Sequence, residues 1–190
     1  MNIFVLDKNP KKAAEFHCNK HVVKMILEAA QMLCASHWLH LLDNYYNGHI
    51  SDFKRVKDLQ KWLYDNTHPL EQPPWKLSHM RHPCTKWTNE SYSNYKWHWE
   101  LGVALCKEYT KRYEKVHKSE QVLDWLGKNT PRFMKDKGLT PFEICMKEEY
   151  KVKDDPIQSY RNYYIQDKVR FAKWEPRSIT PAWFTGGINA

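Results

Sequence analysis

The segment "FHCNKHVVKMILEAAQ", residues 16–31, constrains the fold more than any other part of the chain. Apolar residues fill most of it, as in a helix buried at the centre of a domain. At about 100° per residue, five of its polar side chains fall within a stripe of roughly 80° on one side. These residues are His17, His21, Lys24, Glu28 and Gln31. We therefore expect a central helix whose polar stripe faces a cavity or a partner, since buried charges are costly unless they are paired or used.

Two interpretations of this stripe remain open. It could be a structural network, with Lys24 paired to Glu28 and His21 bonded to a backbone carbonyl. It could equally be an acid/base site, in which Glu28 is the general acid or base and Lys24 stabilises an anion or acts as nucleophile. In the second interpretation the candidate catalytic residues are Glu28, His21, Lys24 and His17. The two histidines also have the spacing of metal ligands, but no His-Glu-x-x-His pattern is present.

The rest of the sequence predicts a single all-α domain over residues 1–190, with a short N-terminal extended segment and long loops. The length suffices for one real core, and strand-like patterns are scarce. The apolar run "NIFVL", residues 2–6, predicts a strand or an extended segment, and Asn47-Gly48 predicts a turn. Helices are expected at about 10–42, 53–66, 86–115, 119–127 and 156–174. Residues 67–85, with four prolines, and residues 128–158 are expected to be loops, and residues 175–190 an extended tail.

The composition favours a nucleic-acid partner. The formal net charge is +8 and aromatic residues make up 14% of the chain. Cationic surfaces attract polyanions, and exposed aromatic rings stack on bases. The stretch "SYRNYYIQDKVRFAKWEPRS" interleaves both residue types near the C-terminus, although an amphipathic helix that packs its rings inward would show the same pattern. The candidate nucleic-acid-binding residues are Arg161, Tyr163, Tyr164, Lys168, Arg170 and Lys173.

A second polar line runs along the predicted helix 86–115 and either faces the first stripe or forms an exposed flank. Glu90, Asn94, Glu108 and Arg112 fall within about 40° of one another on that helix. We expect a second line of pocket residues behind the first stripe, consisting of Gln31, His82, Asn94 and Arg112.

No metal or other cofactor is expected from the sequence. "HMRHPC" offers His79, His82 and Cys84, but a zinc site needs a fourth ligand at recognisable spacing, and none is apparent. The chain also lacks the glycine-rich loops that bind dinucleotides or ATP phosphates. The five cysteines contain no Cys-x-x-Cys and are expected to be reduced thiols.

The sequence predicts a cytoplasmic protein with no membrane partner. No apolar run approaches 18 residues, so no transmembrane helix is expected. The first residues, "MNIFVLDKNPKKAAEF", lack the basic, apolar and small-residue regions of a signal peptide.

Several of these features occur together in a known family. His21 and Glu28 are seven residues apart, "RHPCTKW" with His82 opens the long middle helix, and "YRNYY" lies near the C-terminus. In these features the chain resembles the pyrimidine-dimer DNA glycosylases, the phage endonuclease V family, over most of its length. It also resembles uncharacterised phage-encoded proteins that share "HVVKMILEAAQ" and "HPC..W". The resemblance implies an all-α domain in the host cytoplasm that binds duplex DNA, extrudes a base and acts on the glycosidic bond.

The chain departs from the family at two points. The family's nucleophile is the α-amine of an N-terminal threonine, whereas this chain begins Met1-Asn2, and Asn2 disfavours removal of the methionine. The family's arginines beside the catalytic glutamate are replaced by Leu27 and Ala29. We therefore expect a base-excising enzyme for damaged or modified pyrimidines, with or without lyase activity. The alternatives are a transferase that modifies a base or nucleotide, and a non-catalytic nucleic-acid-binding protein.

Overall fold

The computed structural model describes residues 1–46, 50–131 and 134–188, and its fold is all-α as predicted. The described residues contain no strand and form eight α-helices in a single compact arrangement. The predicted turn at Asn47-Gly48 lies outside the described residues. The helices are α1 Pro10–Phe16, α2 Asn19–Tyr45, α3 Val56–Asn66, α4 Pro83–Glu90, α5 Tyr92–Tyr113, α6 Glu120–Lys128, α7 Pro156–Tyr163 and α8 Ala182–Ile188.

The predicted helix 10–42 is two helices, because the chain bends at His17 and Cys18. Both residues have extended backbone, with ψ of 132° and 159°. The His17 ring bonds back to the Ala13 carbonyl, and the Arg112 guanidinium donates to the carbonyl of His17 itself. These bonds end α1 and give its last carbonyls partners outside the helix. The prediction that His17 shares the stripe of α2 was therefore wrong, since His17 precedes that helix.

The predicted helix 86–115 is also two helices, α4 and α5, separated by Ser91 in an extended conformation. An acid from the irregular segment 134–155 caps α5: Asp136 accepts the N–H of Ser93 and the hydroxyls of Ser91 and Ser93. Hydrogen bonds from the Ser93 and Ser91 side chains lower the pKa of Asp136 to about 2. This cap fixes one end of the irregular segment on the helical core.

The C-terminal region differs from its prediction in two places. The predicted helix 156–174 is α-helical only to Tyr163 and continues as a π-helical turn, Tyr164–Lys168. The tail that was expected to be extended contains α8. Short 3₁₀ turns occur at Ile50–Asp52, Pro69–Glu71 and Glu148–Tyr150.

The N-terminal segment 2–6 is extended, as predicted, and every residue in it is buried. No strand pairs with it among the described residues, and side chains from distant helices bond to its last carbonyl and to the carbonyl of Lys8. Arg161 of α7 donates to the Leu6 carbonyl, and the indole of Trp97 of α5 donates to the Lys8 carbonyl. The segment is thereby held inside the helical core.

Helix α2 is the central element and packs against α3, α4, α5 and α6. Its residues 32–42 are all buried, which confirms the central position expected of it. Its first half is different, because Val23 and Leu27 are 39% and 43% exposed. The expectation that all its apolar sides would be buried was wrong there. Within the described part of the chain, no helix combines the length and apolar character needed to cross a membrane.

Candidate functional site

The polar stripe of α2 lines a cavity where this helix meets the N-terminal segment and the π-helical turn. The cavity has a volume of about 370 Å³, within the range of small-ligand pockets. One carboxylate, that of Glu28, lies in its wall together with the imidazole of His21. Its other walls combine cationic and aromatic side chains, namely Lys20, Lys24, Lys168, Arg170, Phe4, Tyr163 and Phe171.

Glu28 is almost buried and is held by two partners. Its side chain is 8% exposed, Oε1 lies 3.3 Å from Lys24 Nζ, and Oε2 accepts the backbone N–H of Asn2 at 3.1 Å. An ionised carboxylate has about four acceptor positions, so two remain for a ligand. The Lys24 side chain is 63% exposed and can follow an incoming anion. The pair thus places an acceptor and a mobile cation side by side.

His21 is a neutral group in this cavity. Its Nδ1 pairs with the Tyr164 hydroxyl, and Phe4 and Phe171 pack against its ring. Burial, reinforced by the nearby charges of His17 and Lys168, lowers the pKa of His21 to about 2. A group with so low a pKa is a poor general base near neutral pH. Of these two groups, Glu28 is therefore the candidate general base, and His21 serves as a hydrogen-bonding group.

The mouth of the cavity is cationic. Lys168 Nζ lies 2.9 Å from the Tyr163 hydroxyl and 2.7 Å from Asp167 Oδ2. Burial lowers the pKa of Lys168, hydrogen bonds to Asp167 and Tyr163 raise it more, and the net shift is upward. Lys20 Nζ lies 4.9 Å from the centroid of the Phe171 ring. Ammonium groups above aromatic rings suit a ligand with both an anionic and a planar part.

The structure brings together three of the four candidate catalytic residues, His21, Lys24 and Glu28. His17 lies outside the cavity in the link between α1 and α2. Its Nδ1 pairs with the Ala13 carbonyl at 2.6 Å. The pKa of His17 is lowered to about 4, mainly because the ring is buried. His17 therefore has a structural position.

None of the expected second line lines the cavity, although His82 is close enough to Glu28 to feel its charge. Burial and the N-terminal amine lower the pKa of His82, while Glu28 acts to raise it. Asn94 is fully buried and donates to the Trp87 carbonyl and to Thr140. Arg112 is buried in an ion pair with Glu108. Neither lines the cavity, nor does the half-buried Gln31.

The six candidate nucleic-acid-binding residues divide into two groups. Tyr163, Lys168 and Arg170 line the cavity, and Lys173 is exposed on the same segment. Arg161 instead binds the Leu6 carbonyl and contacts the rings of Phe16 and Trp183, while Tyr164 is fully buried against His21. Both residues match the inward-packing alternative, Tyr164 by complete burial and Arg161 through its bond to the Leu6 carbonyl, although the Arg161 side chain is 23% exposed.

The cavity also contains residues that sequence reasoning missed. Asn2 donates its side-chain amide to the Cys145 carbonyl at 2.7 Å and accepts the Tyr160 hydroxyl at 2.6 Å. More than 140 residues separate Asn2 from both partners, so no local pattern could have indicated them. Lys20 was detectable, because it lies one helical turn before Lys24.

Two other cavities lie away from the stripe. One, of about 570 Å³, is lined by His37, His40 and Glu71, and another, of about 630 Å³, by Asp43, Lys86 and Glu90. The pKa of His37 is lowered to about 4, mainly because the ring is buried. Neither cavity contains a candidate catalytic residue.

Comparison of the chain with protein-family models, with curated proteins and with solved structures finds no match. The resemblance to pyrimidine-dimer glycosylases therefore stays a prediction. The function is argued below from the geometry of the cavity.

Proposed function

We propose that the protein is a DNA-acting enzyme of phage type that excises a damaged or modified pyrimidine base, with Glu28 as the catalytic carboxylate. The observation that carries this proposal is the position of Glu28, which opens onto a cavity with aromatic walls and a cationic mouth. The cavity size and the spacing of His21 and Glu28 on one helix face also support it.

An extruded base and its flanking phosphates match the two kinds of wall. Enzymes that act on bases move the target out of the duplex into a pocket, where rings stack on it. Phe4, Tyr163 and Phe171 provide such rings, and Tyr163 is already stacked on Tyr150 at 5.0 Å between centroids. Lys168 and Arg170 at the mouth are suited to the phosphates, which position a nucleic acid without reading its sequence.

In the proposed reaction the bond between sugar C1′ and the base nitrogen breaks and a water oxygen bonds to C1′. Glu28 takes the proton of the attacking water and stabilises the positive charge that develops on the sugar. The base leaves with the bonding electron pair and takes a proton from the Lys24 ammonium. A lyase variant would begin with attack by an amine of the cavity and pass through a Schiff base.

Base release from DNA that contains pyrimidine dimers or modified pyrimidines tests this proposal. Glu28→Gln keeps the side-chain shape and an acceptor for the Asn2 N–H but removes the carboxylate that acts as general base. We therefore expect the rate of nucleobase release to fall by about 10²-fold or more. Glu15→Gln, an exposed position on α1, should retain wild-type activity. Borohydride trapping of a covalent complex would identify the lyase variant. The absence of base release by the wild-type protein on all these substrates would refute the proposal.

One observation favours a second candidate, a non-catalytic nucleic-acid-binding protein. Glu28 is already satisfied by Lys24 and Asn2, as expected of a structural ion pair. In that case Glu28→Gln would bind DNA like the wild type, Lys168→Ala and Arg170→Ala would abolish binding, and the nucleosides of the bound DNA would be unchanged. An altered nucleoside that retains its glycosidic bond would indicate base modification by a transferase instead.

A further inference from the structure

Three soft or borderline metal ligands converge beside the cavity, although the sequence separates them. The side chains of His82, Cys84 and Cys145 each have a donor atom within 4.8 Å of the other two. The two Sγ atoms are 3.4 Å apart, and both thiols are free. Cys84 and Cys145 are 61 residues apart in the chain, which is why His82 and Cys84 alone appeared to lack a further ligand.

The geometry points to a bound zinc ion, and we propose that His82, Cys84 and Cys145 form a zinc site with one open position. Zinc prefers thiolate and imidazole ligands in a tetrahedral arrangement, with Zn–S distances of about 2.3 Å. Two sulfurs on such an ion lie about 3.8 Å apart, close to the 3.4 Å observed. A shift of roughly 1 Å brings the most distant pair of donors to tetrahedral spacing.

The surroundings fix the three ligands in place. Nδ1 of His82 accepts the N–H of Cys84 and so caps α4, and the ring also hydrogen-bonds to the backbone of Met1. Zinc would replace the Cys84 N–H at Nδ1, while the bond to Met1 remains. A hydrogen bond from a ligating imidazole to a backbone group orients the ring on the metal. Asn2 donates to the Cys145 carbonyl, which holds the irregular segment against α4. The ion would therefore join α4 to segment 134–155.

The fourth ligand would come from the cavity. The cluster contains three possible protein ligands among the described residues. Catalytic zinc sites have the same number, and water or substrate takes the fourth position. Cys145 is half-buried and lines the cavity together with Glu28, whereas Cys84 is fully buried. The open position consequently faces the cavity wall that contains Cys145.

Zinc content tests this inference without DNA and without any activity, so its failure is distinct from failure of the proposed function. The full chain, purified under reducing conditions with added zinc and then freed of excess metal, should retain about one equivalent by elemental analysis. Cobalt(II) in its place should show the charge-transfer absorption of thiolate ligands. Cys145→Ser and Cys84→Ser should each retain less than about 0.1 equivalent.

Two further variants control for folding. Asparagine is a favourable N-cap, so His82→Asn should keep α4 capped while losing the metal. Cys34→Ser alters a buried free cysteine outside the cluster and should retain the metal. Circular dichroism verifies that each variant is folded. Wild-type protein that retains no zinc, a Cys84–Cys145 disulfide that forms under these reducing conditions, or zinc retained by folded Cys145→Ser and His82→Asn would overturn the proposal.

Discussion

Replacement of Arg112 by methionine should destabilise the fold strongly, because this guanidinium is a buried junction between α5 and the bend after α1. The side chain is 0% exposed. It pairs with Glu108 Oε2 at 2.8 Å and donates to the carbonyls of His17 and Glu15 at 2.7 and 2.9 Å. Methionine fills a similar volume but leaves one carboxylate and two carbonyls without this partner.

Breaking a buried ion pair from one side costs about 3–5 kcal/mol, since the remaining charge stays buried. Lys111 partly compensates by approaching Glu108 Oε1 at 3.2 Å, so we expect about 3 kcal/mol for Arg112→Met. Arg112→Met combined with Glu108→Gln should cost less than the sum of the single changes, because no buried charge is left unpaired.

Lys111→Ala provides a matched control. Lys111 contacts the same carboxylate, but its side chain is 63% exposed, and exposed ion pairs contribute at most about 1 kcal/mol. Urea unfolding followed by tryptophan fluorescence measures the wild type and the four variants, which include Glu108→Gln alone. A loss below about 1 kcal/mol for Arg112→Met, or equal losses for Arg112→Met and Lys111→Ala, would refute the reasoning.

Three other predictions concern pH, packing and binding. Burial lowers the pKa of His17, His21, His37 and His98 to between about 2 and about 4 in the folded state. The unfolded chain therefore takes up more protons, and stability falls as the pH drops below the unfolded value of 6.5. At pH 5 each one costs about 2 kcal/mol; urea unfolding from pH 7 to 5 checks this, and a flat profile would contradict it. Gly127→Ala places a Cβ 2.5 Å from a ring carbon of Trp99 and should cost about 1–3 kcal/mol. Gly102→Ala, where the Cβ meets movable Leu123 methyls at 3.1 Å, should cost less in the same unfolding assay. Arg170→Ala should weaken DNA binding on every sequence and reduce the slope of log K against log salt concentration by about 0.9. Lys57→Ala on α3 should change neither, and fluorescence anisotropy across a salt series measures both variants.

The helical period alone predicted the arrangement of His21, Lys24 and Glu28. Residues three, four and seven apart share a helix face whatever the tertiary context, so these side chains had to lie together once α2 formed. The period failed at His17, because a guanidinium 95 residues later holds its carbonyl and bends the chain. The likewise smooth pattern of 86–115 concealed the break at Ser91.

Contacts between distant parts of the chain explain the rest of what the sequence concealed. Asn2 and Cys145 complete the cavity wall from positions 143 residues apart, and no spacing rule links such positions. The basic and aromatic stretch near the C-terminus contains residues that pack in the core and residues that line the cavity, and both groups consist of the same amino-acid types. Contact partners separate Arg161, which bonds to the Leu6 carbonyl, and Tyr164, which is fully buried, from Lys168 and Arg170, which line the cavity, and such partners depend on the whole fold.

The core position of residues 2–6 has a consequence for biosynthesis. The Leu6 carbonyl receives its partner from Arg161, which is synthesised 155 residues later. Contacts of such separation are slow to form, because the intervening chain must first be ordered. The segment therefore remains apolar and unprotected until Arg161 has been made. If the ribosome pauses after residue 161 has emerged, the segment has time to pack, and folding should accordingly depend less on chaperones.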